Sequence, residues 1–165
     1  MSSKIKPISI GRQAPEFETT DDQGIKYSKS GLLGSKYLLY FYPRDHTPGC
    51  TIQACGFRDL MKEFREENVI ILGISGGDQA SHQKFRSKLE LPFPLLLDPD
   101  FKIAKSFGVF GEKKFMGKVF DGIHRTSFYI DAAGCIIETY VKVKAKDHPK
   151  QFLSDLLQTV KTSII

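Results

Sequence analysis

Three short apolar runs in the first hundred residues predict buried β-strands. They lie at residues 37–42, 69–75 and 95–97, and each is apolar at nearly every position. A strand with one solvent-facing side alternates apolar and polar residues, whereas an unbroken apolar run is typical of a strand covered on both faces. We therefore expect these strands to lie inside a sheet with other layers packed against it.

Four further segments carry apolar residues at the three- and four-residue spacing of an amphipathic helix. They span residues 50–67, 78–91 and 101–107, and the last starts near His148. On the last helix, the residues expected to be buried are Phe152, Leu153, Leu156, Leu157 and Val160. Strands that alternate with helices in this way predict an α/β fold with right-handed crossovers.

Two hairpins are predicted outside this alternating region. Residues 14–20 and 25–28 flank a turn rich in Asp and Gly, and residues 126–130 and 136–141 flank a second turn that ends in glycine. Between them, residues 109–124 contain three glycines and little periodicity, which predicts a long loop. The expected architecture is a central mixed β-sheet flanked by helices, with an N-terminal β-hairpin extension.

The composition is that of an ordinary soluble globular protein, with 41% hydrophobic and 26% charged residues. We expect one domain, residues 1–165. The chain has neither an apolar run of the roughly 18 residues that span a membrane nor a signal peptide at its start, so no membrane partner is expected. Three cysteines do not make a secreted disulfide framework, which favours a reducing cytoplasm. The net charge of +5 comes from interspersed charges, which favours a solvated surface over nucleic-acid binding.

The most informative stretch is residues 41–58, because it places a cysteine at the start of a helix. Thr47 can cap the helix, and Pro48 suits its first position because the missing N–H has no partner there. Cys50 then lies in the first turn, where unpaired N–H groups and the positive end of the helix dipole favour the thiolate. Since the thiolate is the reactive form of cysteine, Cys50 is a candidate nucleophile.

A second cysteine, Cys55, follows five residues later on the same predicted helix. In a continuous helix the two residues are about 7.5 Å apart along the axis and about 140° apart around it. The distance between their Cα atoms then exceeds the limit of roughly 7 Å for a disulfide. Either Cys55 is an ordinary buried helix residue, or the pair forms a labile disulfide that requires the first turns of the helix to unwind.

The motif Pro43-x-x-x-Thr47-x-x-Cys50, together with the distant Arg125, resembles the active site of the peroxiredoxins. The longer string from Phe41 to Thr51, followed by Cys55 and by Phe-Arg-Asp, resembles one branch of that family, the bacterioferritin comigratory protein or peroxiredoxin Q subfamily. Further matches are Gly-x-x-Ala-Pro-x-Phe at 11–17, Phe-Gly-Val at 107–109 and the string 118–125. The resemblance extends from about residue 10 to residue 160.

This resemblance implies a thioredoxin-like fold and the reduction of hydrogen peroxide and organic hydroperoxides in antioxidant defence, without a metal, haem or other cofactor. It implies that Cys50 is the peroxidatic cysteine, which becomes a sulfenic acid, and that Cys55 is the resolving cysteine. Pro43, Thr47 and Arg125 match the other active-site positions. The implied partners are the hydroperoxide and thioredoxin or a similar dithiol, and the subfamily implies a monomer.

Each matched residue suits this chemistry. Arg125 is permanently charged and offers several donors, so it can stabilise the thiolate and hold a peroxide oxygen. The hydroxyl of Thr47 can accept from the peroxide and donate to the sulfur. Pro43 has no acid–base role, and we expect it to shape the pocket. Gln53 and Arg58 are expected to help build the pocket or its salt links.

The other cysteine and histidines receive structural interpretations. Cys135 matches no catalytic position and is expected to be a packed core residue. His46 and His124 flank the site, but a cysteine with a low pKa needs no general base.

Three alternative functions use other chemistry. A metal site made of Cys50, Cys55 and His46 lacks zinc-finger spacing, and a thiol–disulfide oxidoreductase would carry Cys-x-x-Cys, which is absent. A redox-inert interaction domain would not need to retain Pro43, Thr47, Cys50 and Arg125 together.

Overall fold

The computed structural model describes residues 5–164, with side chains up to residue 158. Its elements, in chain order, are β1 (Glu18–Thr20), β2 (Lys26–Ser28), a 3-10 turn (Ser30–Leu32), β3 (Lys36–Phe41), α1 (Pro48–Asp59), α2 (Met61–Glu66), β4 (Val69–Ser75), α3 (Gln79–Leu89), β5 (Leu95–Leu97), α4 (Lys102–Ser106), β6 (Phe110–Phe115), β7 (Lys118–Ile123), β8 (Thr126–Ile130), β9 (Ile136–Tyr140) and α5 (His148–Ile164).

The central sheet has five strands in the order β5-β4-β3-β8-β9. The strands β3, β4 and β5 are parallel, whereas β8 and β9 run antiparallel to their neighbours. The mixed sheet and the N-terminal β1–β2 hairpin are confirmed. The late hairpin supplies the antiparallel strands: β9 is the edge strand, and β8 lies beside the central strand β3. This pairing brings the start of β8 next to the end of β3.

Successive residues of β3 point to opposite faces of the sheet, which divides the core in two. Leu39 and Phe41 pack with Phe107, which follows α4, while Leu38 and Tyr40 pack with α1, α2, α3 and α5. Every residue from Tyr37 to Tyr42 is at most 1% exposed. The expectation that this strand is covered on both faces is therefore confirmed.

The predicted helix 50–67 is interrupted at Leu60. The backbone of Leu60 (φ −109°, ψ 11°) departs from helical values, and its N–H bonds to the carbonyl of Phe57, three residues back. Both cysteines nevertheless lie on α1, upstream of the interruption. Asn68, which follows α2, has a left-handed backbone conformation, with φ 59°.

The expectation of a long loop at 109–124 is wrong, because this segment forms the β6–β7 hairpin. Met116 and Gly117 turn the chain with positive φ values of 50° and 76°. Every residue from Lys114 to Asp121 is exposed, so neither face imposes the alternation by which a strand is recognised.

Of the α5 residues predicted to be buried, Phe152 and Leu156 are buried, Leu153 is half-buried and Leu157 is 43% exposed. The buried stripe of this helix is therefore narrower than expected. Val160 lies outside the described side chains. No helix in the described part of the chain is long and apolar enough to span a membrane.

Candidate active site

Cys50 lies at the point where the central strand gives way to α1. Pro48 occupies the first position of the helix as predicted, and Cys50 is its third residue and is 1% exposed. Thr47 precedes the helix in an extended conformation, but its hydroxyl donates to the carbonyl of Arg44 at 2.9 Å instead of capping. The first-turn N–H groups are thus left uncapped by Thr47, on the segment that carries the sulfur.

Arg125, the residue just before strand β8, reaches Cys50. Its Nη2 lies 3.6 Å from Cys50 Sγ, and its Nη1 donates to Gln53 Oε1. The position follows from the sheet, because Thr126 pairs with Phe41 at the end of β3. A Cβ at Gly49 would lie 3.0 Å from Arg125 Nη2, so the glycine leaves room for the guanidinium. A permanent positive charge beside the sulfur stabilises its thiolate.

Gln53 follows Cys50 by three residues and therefore lies on the same face of α1. Its side chain is fully buried, and its Oε1 accepts from Arg125. Its Nε2 has no hydrogen-bond partner among the described residues. The expectation that Gln53 helps build the pocket agrees with this contact, since the amide orients the guanidinium toward the sulfur.

Tyr40 is a site residue that the sequence reasoning missed. It is 1% exposed, stacks on Phe57 with ring centroids 4.7 Å apart, and its hydroxyl has no partner among the described residues. Burial, followed by the negative charges of Cys50 and Asp45, raises the pKa of Tyr40 well above its ordinary value. The phenol is therefore neutral, and it belongs to the same buried cluster as Cys50. The sequence shows it only as part of an apolar run.

Lys113 and His148 also approach the site from elements whose role was not anticipated. Burial and the positive charge of Arg125 lower the pKa of Lys113, whose Nζ donates to the carbonyl of Ile123. Burial and the same charge lower the pKa of His148 to about 4. The charge of Arg125 thus disfavours the protonated forms of Lys113 on β6 and His148 on α5.

The two histidines that flank the motif in sequence are engaged elsewhere. His46 is exposed, and its ring packs edge-on against Phe85 with ring centroids 5.2 Å apart. His124 Nε2 is 3.0 Å from the carbonyl of Glu112, and burial lowers the pKa of His124. Neither contact is to Cys50, which agrees with the structural interpretation of both.

Cys55 is half-buried on α1 and, like Cys50, is a free thiol. Since both residues lie on one uninterrupted helix, the separation of about 7.5 Å along its axis holds. Arg58, one turn further on, donates to the carbonyl of Leu89 and ties α1 to the end of α3. A Cys50–Cys55 disulfide requires this first part of α1 to unwind.

The remaining cysteine is far from this centre. Cys135 follows the turn between β8 and β9, and because β8 starts beside Arg125, that turn lies at the opposite end of the sheet. Its side chain is half-buried, so the expectation of a packed core residue is wrong. In the described part of the chain, no three His, Cys, Asp or Glu side chains are grouped as a metal site.

Comparison with known proteins identifies the family. The sequence profile of the AhpC/TSA family matches residues 10–139. The chain is 46% identical over 156 residues to a putative peroxiredoxin bcp of Haemophilus influenzae, covering 94% of this chain and all of that protein. It is 44% identical over 154 residues to peroxiredoxin Bcp of Bacillus subtilis, covering 93% and 96% of the two chains.

Solved structures agree with this assignment. Peroxiredoxin Q of Xanthomonas campestris superimposes with a TM-score of 0.81 at 32% identity, over 86% of this chain and 90% of that one. A mutant PrxQ of Xylella fastidiosa gives 0.87 at 28% identity, over 94% and 99%. The expected thioredoxin-like fold is confirmed. The chain therefore belongs to the AhpC/TSA family and, within it, to the Bcp and peroxiredoxin Q peroxiredoxins.

Proposed function

We propose that this chain is a thiol-dependent peroxidase that reduces hydrogen peroxide and organic hydroperoxides, with Cys50 as the attacking sulfur. The observation that carries the proposal is the contact between Arg125 Nη2 and Cys50 Sγ, 3.6 Å long, in the first turn of α1. The alkyl peroxide reduction activity named for the Xanthomonas campestris bacterioferritin comigratory protein is consistent with organic substrates.

In the first step the Cys50 thiolate attacks the terminal oxygen of the hydroperoxide, and the O–O bond breaks. The sulfur is oxidised to a sulfenic acid, and the other oxygen takes up a proton and leaves as alcohol or water. The guanidinium of Arg125 stabilises the thiolate and the charge that moves onto the leaving oxygen. The first-turn N–H groups, uncapped by Thr47, add stabilisation of the same sign.

Thr47 and Pro43 complete the pocket in this proposal. The Thr47 hydroxyl already donates to the Arg44 carbonyl, so it is left free to accept a hydrogen bond from the peroxide. Pro43 is half-buried at the end of β3 and limits the access of water to the sulfenic acid. Thr47 thus acts through a hydrogen bond and Pro43 through its shape, and neither contributes a charge.

In the second step the Cys55 thiol attacks the Cys50 sulfenic acid, a disulfide forms and water leaves. The geometry of α1 requires its first turns to unwind beforehand, which makes the disulfide labile and suited to exchange with a dithiol such as thioredoxin. We propose that residues 1–165 form one domain that carries out this cycle as a monomer in the cytoplasm.

Peroxide consumption with dithiothreitol as reductant tests the proposal. The wild type is expected to consume hydrogen peroxide at many times the rate of the protein-free blank, and Cys50→Ser is expected to match the blank. Cys135→Ser is the matched control, since it removes a thiol at the other end of the sheet, and it should retain wild-type consumption. Undiminished activity in Cys50→Ser would refute the proposal.

A further inference from the structure

A chain of buried hydrogen bonds lies directly behind the active-site loop and is not used by the proposed chemistry. The Tyr42 hydroxyl donates to Asp45 Oδ1 at 2.6 Å, and His82 Nδ1 lies 2.6 Å from Asp45 Oδ2. On the other side of the ring, His82 Nε2 lies 3.0 Å from the carbonyl oxygen of Leu96. Ser81 Oγ also donates to Asp45 Oδ2. The side chain of His82 is fully buried and that of Asp45 nearly so.

These contacts determine the protonation of the imidazole. The carbonyl of Leu96 can only accept, so Nε2 carries a proton. Asp45 accepts hydrogen bonds from the hydroxyls of Tyr42 and Ser81. Burial alone would raise the pKa of Asp45, but its hydrogen bonds to the surrounding side chains bring that pKa below its ordinary value. The carboxylate is therefore ionised and acts as an acceptor toward Nδ1. Both ring nitrogens carry protons.

We propose that His82, as a buried imidazolium, is a positioning residue that fixes the active-site loop through Asp45. Asp45 lies between Pro43 and Thr47, so the ion pair anchors the segment that carries both pocket residues to α3 and β5. The fit is close, because a Cβ at Gly77 would lie 2.8 Å from Asp45 Oδ2 and 3.0 Å from the His82 ring. The anchor holds the chain at Asp45, before the start of α1 at Pro48.

Nuclear magnetic resonance of the reduced wild type tests the protonation directly. With ¹⁵N-labelled histidine at pH 7, the fully buried ring of His82 should show one-bond N–H couplings at both nitrogens, and the signal should disappear in His82→Gln. A single protonated nitrogen would overturn the proposal. This measurement does not depend on the proposed peroxidase function.

The positioning role is tested by comparing two reactions of Cys50. The reaction with hydrogen peroxide needs Pro43 and Thr47 in place, whereas alkylation by iodoacetamide needs the thiolate and access to it but no contact with Thr47. In His82→Gln we expect the peroxide rate constant to fall about ten- to hundredfold, as for small displacements of positioned groups. Alkylation of the Cys50 peptide should stay within about threefold of wild type, since Arg125 and the helix start are unchanged.

Asp78→Ala is the matched control, because it removes the N-cap of the same helix, where Asp78 Oδ1 accepts from the Ser81 N–H at 2.8 Å. That variant weakens the start of α3 but keeps the side chains of Asp45, Ser81 and His82, so its peroxide rate constant should match wild type. If His82→Gln lowers both reactions equally, or neither, the positioning role is wrong.

A double variant shows whether His82 acts through Asp45. The peroxide rate constant of His82→Gln with Asp45→Asn should lie within about twofold of Asp45→Asn alone, because the second change removes a contact that is already lost. Fully additive losses would contradict the proposal. Far-UV circular dichroism verifies that each variant is folded, and Asp45→Asn alone provides the rate test if His82→Gln is not. The rate measurements rest on the proposed function, and a wild type that does not react with peroxide would refute that function. The nuclear magnetic resonance measurement of the His82 ring would still test the anchor.

Discussion

Stability should fall between neutral and mildly acidic pH because of one buried histidine, His148. It is 2% exposed at the start of α5, its Nε2 lies 2.7 Å from Ser127 Oγ, and its ring packs edge-on against Phe57. Burial, followed by the charge of Arg125, lowers the pKa of His148 from 6.5 to about 4. The positive end of the α5 dipole acts in the same direction.

The sign and the size follow from linkage. Below pH 6.5 the unfolded chain binds a proton that the folded protein does not, so the contribution of His148 is complete above 6.5 and is lost as the pH falls toward 4. Since a difference of one pKa unit corresponds to about 1.4 kcal/mol, the free energy of unfolding falls by about 3 kcal/mol across this pH interval.

Urea unfolding of the reduced protein, followed by circular dichroism from pH 7.5 to 4, provides the assay. His148→Gln keeps a hydrogen-bonding side chain beside Ser127 and cannot titrate. Its free energy of unfolding should therefore fall less with acid than that of wild type, by about 3 kcal/mol. His46→Asn, at an exposed histidine with a left-handed backbone, is the matched control and should follow wild type. A difference below about 1 kcal/mol would refute the reasoning.

Two further predictions concern the site and its support. Arg125→Lys should lower the rate constant for Cys50 oxidation about a hundredfold, because one ammonium cannot replace two guanidinium nitrogens that contact Cys50 and Gln53 separately. Stopped-flow mixing with hydrogen peroxide measures this rate constant, and an unchanged value would contradict the role given to the two guanidinium nitrogens. Gly56→Ala should destabilise the fold by about 1–2 kcal/mol, although alanine is the better helix former, because its Cβ would lie 2.8 Å from the ring of Pro149. Urea unfolding measures this loss, and a gain in stability would contradict the packing of α1 against α5.

The sequence predicted the fold where burial imposes a periodicity. The strand 37–42 was recognisable because both faces are covered, and the hairpin 126–141 because strand-forming residues flank a turn. The segment 109–124 was misread because its strands project into solvent, where neither face selects apolar residues. Leu157 was misplaced because an apolar residue beside a buried stripe need not be buried.

The candidate site was predictable where its chemistry depends on local sequence. Cys50 was recognisable from the Thr-Pro-Gly helix start alone. Arg125 needed a resemblance, because only the pairing of β3 with β8 brings residues 75 positions apart together. Nothing in the sequence marks Tyr40 or His148 as a site residue. Tyr40 is one residue of an apolar run and His148 one residue at a helix start, and only the tertiary fold brings them near Cys50 and Arg125.

The central claim is that Cys50 is oxidised first and Cys55 resolves it, and peptide mapping tests it most directly. Trypsin cuts after Arg44 and Arg58, so both cysteines fall in the single peptide 45–58, while Cys135 falls in another. After one equivalent of hydrogen peroxide, wild type should give peptide 45–58 lighter by two hydrogens, and Cys50→Ser should keep Cys55 and Cys135 as free thiols. A peptide heavier by one oxygen at Cys50, with Cys55 still free, would contradict resolution by Cys55. An unmodified Cys50 would contradict the account as a whole.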